Sequence, residues 1–129
     1  MNQYDRGKGL EKFDQVYCGD LGALPPAGAS PYIDFMLETL FGVLWQDTTL
    51  SIRERRLLLI GVLAAQGEES TLTIQLRSAL KRGELSTPQL QALATFLTQY
   101  VGYPRGSRLF RVCNEVSAAA AAPGAPPAD

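Results

Sequence analysis

Gln75 and Glu68 stand on one helical stretch of a 129-residue chain that contains no histidine. Histidine is the commonest side chain that both gives and takes a proton near neutral pH. Its absence excludes Ser-His and Cys-His nucleophile pairs and every His-ligated metal site. Chemistry must then come from carboxylates, cysteines, tyrosines, arginines or amides; no metal or cofactor is expected. Gln75 leans toward an apolar face. An amide there either satisfies itself against backbone or a neighbouring chain, or holds a ligand oxygen; it cannot take a proton. Glu68 and Glu69 open the same helix. Their charge suits the helix N-terminus, and a partly buried Glu68 is the one acid or base near Gln75. Gln75 and Glu68 are therefore the candidate catalytic pair.

Arg53, Arg55 and Arg56 cluster at one helix start. Such clusters usually make solvated ion pairs, but the guanidinium fork also suits a ligand carboxylate, and Arg53 and Arg55 are the candidates for that role. Arg105, Arg108 and Arg111 repeat every three residues and read as a solvated face. Cys18 and Cys113 are far apart, form no Cys-x-x-Cys and read as buried thiols.

These groups need helices to position them. A short helix is expected over about Leu10 to Val16, followed by a Gly/Ala/Pro loop that Pro25-Pro26 keeps irregular. Ser30-Pro31 is an N-cap with proline at the first helical position. The helix it opens carries Ile33, Met36, Leu37, Leu40 and Leu44 on one stripe, with Tyr32, Phe35, Phe41 and Trp45 outside it. So apolar a helix is expected to be buried on more than one side. Ser51-Ile52-Arg53-Glu54 is a capping box before Leu57 to Ala65, which is apolar all round and reads as a central helix. Further helices are expected over about Ser70 to Arg82, from the Ser86 cap to Val101, and from near Pro104 through Leu109, Val112 and Val116. The Ala/Pro-rich end, 117–129, is expected to be a disordered tail after a 1–116 domain. The fold class is all-α, a compact bundle of five to six helices.

The block from Trp45 to Phe110 resembles the carboxymuconolactone decarboxylase family, which includes the alkylhydroperoxidase D-like (AhpD-like) proteins. The resemblance rests on Leu50 to Arg55, on Leu72-x-x-Gln75-Leu76-x-x-Ala79-Leu80-x-x-Gly83, and on Tyr100-Val101-Gly102-Tyr103-Pro104. It implies an oligomeric helical bundle, a homotrimer or homohexamer, with pockets near subunit contacts. It also places Gln75 where relatives keep a histidine, Glu68 and Thr71 where peroxidase-type members carry Cys-x-x-Cys, and Phe96 at a second histidine. Trp45, Phe96, Tyr100 and Tyr103 would line the pocket. Thiol peroxidase activity is thereby disfavoured. The expected function is binding or transforming a small organic acid, lactone or carbonyl compound, with lyase-like or isomerase-like chemistry. The alternative is a non-catalytic assembly protein.

The formal net charge of -1 argues against nucleic acid as a bulk partner. Residues 1–50 hold seven acids and three bases, a balance of -4, and residues 51–129 nine bases and six acids, +3. No apolar run reaches the roughly 18 residues of a membrane span, and the N-terminus is too polar for a secretory signal. A cytoplasmic location is expected.

Overall fold

The computed structural model describes residues 4–122, which fall into two compact units, 1–52 and 53–129. Six α-helices are present, and no strand occurs among the described residues.

In the first unit, helix α1 spans Arg6–Tyr17, longer at its start than the sequence suggested, because the Asp5 carboxylate accepts from the Lys8 amide at 3.1 Å and caps it. Cys18 ends the helix in the left-handed conformation, φ 60°. The following loop is tied down by Asp34, which pairs with Arg6 at 2.9 Å and accepts from the Gly28 amide at 3.0 Å. Ser30 caps α2 (Pro31–Phe35) as expected, with Pro31 in its first turn.

The helix does not then continue to Trp45 with constant pitch. It widens into a π-helical segment, Met36–Phe41, and after Gly42 makes a 3-10 turn, Leu44–Gln46. The wider turn resets the phase of the pattern. Leu37, Phe41 and Trp45, four residues apart, face inward, while Leu40 and Leu44 from the expected stripe are exposed. Phe41 stacks on Trp45 with ring centroids 5.7 Å apart, and Phe13 meets Phe41 edge-on at 5.1 Å. These rings, with Val16, Tyr17 and Leu37, are this unit's core. Tyr32 and Phe35 are 80% and 65% exposed, so burial of this segment on a second side is not achieved within the chain.

The second unit begins as helix α3 (Ile52–Gln66), starting one residue after Ser51. Its buried positions are Arg56, Ile60 and Ala64, one stripe at four-residue spacing. Leu58 and Val62 are exposed, so α3 is one-sided in this chain, not enclosed all round. Helix α4 (Glu69–Lys81) buries Leu72, Gln75, Leu76, Ala79 and Leu80. Helix α5 (Thr87–Val101) opens with a complete capping box: Ser86 Oγ accepts from the Gln89 amide, and Gln89 Oε1 accepts from the Ser86 amide. Gly102, φ 89°, turns the chain into helix α6 (Tyr103–Ala121).

The core joins Ile60 and Ala64 of α3 to Leu72, Leu76 and Ala79 of α4, Leu90 and Ala94 of α5, and Leu109, Val112 and Val116 of α6. A Cβ on Gly106 would lie 2.2 Å from Thr98 Oγ1, so α5 and α6 pack against each other through a missing side chain. Helix α6 includes 117–121, five residues of the expected tail, because an alanine run has the best helix propensity of any sequence. The rest of that tail, 123–129, lies outside the described residues.

One buried hydroxyl is unmatched. Ser78 is fully buried on α4, and its Oγ has no hydrogen-bond partner among the described residues. Ser78→Ala removes a desolvated hydroxyl and gains helix propensity. It is expected to raise unfolding free energy by about 1 kcal/mol, read as a higher urea midpoint at unchanged slope.

Candidate functional site

The Gln75 side chain faces the interior, 2% exposed, and its Oε1 accepts from Arg56 Nη1 at 2.8 Å. Arg56 is itself fully buried. Its guanidinium forks onto Glu84, with Nε to Oε1 at 2.9 Å and Nη2 to Oε2 at 3.3 Å. A second arginine, Arg82, donates from Nε to Glu84 Oε2 at 2.6 Å. A buried guanidinium is tolerated only when its charge and donors are matched, and the bidentate fork is the strongest way to match them.

Local folding dictates this geometry. Gly83 adopts φ 69°, and its amide donates to the Leu80 carbonyl at 3.1 Å while the Glu84 amide donates to Ala79 at 2.9 Å. This is the paired C-terminal turn that glycine permits after a helix. It reverses the chain so that Glu84 returns toward α3. Arg53 Nε secures the turn by donating to the Glu84 carbonyl at 2.9 Å.

The other candidates are dispersed. Arg53 serves the Glu84 backbone, and Arg55 is half-buried one residue before Arg56. Glu68 is exposed at the N-terminal boundary of α4, where its side chain makes no capping bond. Helix rise puts it about 10 Å along the axis from Gln75. Phe96 and Tyr100 project outward from α5, their rings 5.2 Å apart, rather than inward toward the amide. Tyr103 borders a recess of about 360 Å³ between α5 and α6, with Thr98, Gln99 and Phe110 among its other walls. Trp45 belongs to the first unit's aromatic core. Of the arginines on α6, Arg108 and Arg111 pair with Glu69 at the start of α4, and all three are exposed, as a solvated face requires.

The centre thus contains two residues that the sequence argument did not select. Arg56 was passed over for its neighbours, although its four-residue spacing from Ile60 and Ala64 marks it as the arginine on the buried stripe. Glu84 has a subtler signal: it follows the glycine that ends α4, where the reversed chain is aimed back at the bundle.

A family model for the carboxymuconolactone decarboxylase family matches residues 31–115. The chain belongs to the carboxymuconolactone decarboxylase family. No curated protein and no solved structure is matched. Within this carboxymuconolactone decarboxylase-family chain, the all-α fold expected from the resemblance is present. Among the described residues, no helix is long and apolar enough to cross a membrane.

The thiols offer no replacement chemistry. Both cysteines are free. Burial pushes the Cys113 thiol up from 9.0 to about 11, so the nucleophilic thiolate is suppressed at neutral pH. Cys18 is only half-buried, which corrects the expectation of two buried thiols: it sits at the exposed end of α1, where the helix terminates. A disulfide reagent at pH 8 is expected to titrate one thiol in the native protein and the second only on unfolding. The folded pKa is the higher one, so this group's contribution to stability is complete below pH 9 and is lost as pH rises toward about 11.

Proposed function

We propose that this family member is an oligomeric assembly or interaction protein of the cytoplasm, in which the family's reactive position has become part of a structural ion-pair centre. The observation that carries this reading is the occupied Gln75 oxygen: it accepts from Arg56, whose charge is met by Glu84. A ligand carbonyl or carboxylate gains little from an amide and a guanidinium already bonded to each other and shielded from water. Self-association, as a homotrimer or homohexamer, is supported by the apolar side chains left exposed on the α2 segment and on α3.

A second reading has one observation in its favour. Arg56 and Arg82 converge on a single carboxylate, so a small organic acid displacing Glu84 would meet a ready-made double clamp. Gln75 would then orient the ligand, Arg53 and Arg55 would add positive charge, and Glu68 would carry a proton. Trp45, Phe96, Tyr100 and Tyr103 would shape the surrounding pocket.

Thermal-shift titration with aromatic acids, lactones and acyl compounds, together with an ultraviolet assay for lactone consumption, separates the two. The first reading expects an unchanged melting temperature and no turnover. A saturable shift or turnover above background would establish the small-acid reading in its place.

A further inference from the structure

Helix α5 carries no Asp, Glu, Lys or Arg in its fifteen residues, yet one side of it is open to solvent. Surface helices ordinarily place charge on their outer face. Ala92, Phe96, Gln99 and Tyr100 occupy that open side, and Tyr103 and Phe110 of α6 continue it across the neighbouring recess. Phe96, Tyr100, Tyr103 and Phe110 are 62%, 78%, 68% and 51% exposed. At about 200 Å² per aromatic side chain, they leave roughly 500 Å² of ring surface in water. That lies at the upper end of what monomers tolerate as a patch. With the surrounding glutamines and threonines, it approaches the roughly 800 Å² per partner of a standard interface. Aromatic enrichment with charge depletion is also the composition of interface cores.

We infer that this face is a two-fold contact in which α5 of one chain packs on α5 of a second copy. The occupant follows from the charge pattern. A surface meeting its own image brings every charge against an identical one unless charges are absent, and here they are absent. An isologous contact needs a self-complementary patch. An uncharged stripe with small Ala92 beside Phe96 allows two helices to approach, with the axis near Phe96. A strongly charged partner would find no complementary charge on α5. The inference builds on the assembly reading above by naming the surface; it stands or falls on mass, whereas that reading stands or falls on ligand and turnover.

The test compares the solution mass of wild-type protein, Phe96→Glu, Phe96→Lys and an equimolar mixture of the two variants, by light scattering at micromolar concentration. Phe96 is exposed, so both variants should retain wild-type helicity. Each alone is expected to show a twofold fall in mass, because like charges meet at the axis. The mixture is expected to regain the wild-type mass, because opposite charges then meet. A monomeric wild-type protein, variants that keep the wild-type mass, or a mixture that fails to recover it would each overturn the inference.

Discussion

Glu84→Ala is expected to destabilise the protein by about 3–5 kcal/mol, the effect of removing one partner from a buried ion pair. Arg56 has no solvent to turn to: it is fully exposed to the interior and bonded on two sides, to Gln75 and to Glu84. Deleting the carboxylate strands its charge and frees Arg82 Nε as well. A deficit of this size is comparable with the whole stability of a marginal domain. Urea denaturation followed by helicity reads it as a large drop in midpoint. Arg56→Met combined with Glu84→Leu should recover most of the loss, because apolar groups of similar volume often replace buried ion pairs at little net cost. If Glu84→Ala shifted the unfolding free energy by less than about 1 kcal/mol, the charge would have to be solvated, and the centre would not be structural.

The second large effect has the opposite sign from a propensity argument. Gly9 lies inside α1, where replacing glycine with alanine ordinarily gains about 1 kcal/mol. Here the added Cβ would sit 1.7 Å from the Leu37 carbonyl oxygen. That atom is backbone and cannot rotate away, so α1 must separate from the π-helical segment. Gly9→Ala is expected to destabilise the first unit by about 3 kcal/mol or more, at or beyond the upper end of overpacking effects. The protein has one tryptophan, and it lies in that unit's core against Phe41. Trp45 emission should therefore shift toward the red at lower denaturant than in wild type. An unchanged midpoint would show that the two segments do not touch at Gly9.

Helix signals made of local chemistry were readable in the sequence. Ser30-Pro31, the Ser86–Gln89 capping box and Gly83 each act over a few residues, and each appears where the pattern puts it. The stripe of Leu109, Val112 and Val116 needed only the helical period. The π-helical widening was not readable, because it depends on how α1 presses on the segment and not on the segment's own period. The same limit applied to the candidate site. Gln75 could be marked as inward-facing from its neighbours on α4, but its partner comes from another helix, nineteen residues earlier. Choosing Arg56 from three adjacent arginines required the phase of α3, which an all-apolar run obscures. The outward direction of Phe96 and Tyr100 was hidden for a related reason: an aromatic residue has the same hydrophobicity whether it faces a core or a second chain.

The wide turn of Met36–Phe41 also bears on which changes in chain length this protein can absorb. A π turn accommodates an additional residue per turn relative to regular α geometry. Deleting one residue there would restore ordinary pitch and rotate everything downstream by about 100°. Trp45 would swing out of the aromatic cluster it shares with Phe41. Gly42 would leave the spot where its α-carbon grazes neighbouring carbonyls, a place in which a Cβ would meet Glu38 O at 2.5 Å. Single-codon losses should thus be purged from this stretch far more strictly than from the Gly/Pro loop before it, making the segment a fixed-length ruler within an otherwise adjustable N-terminal half.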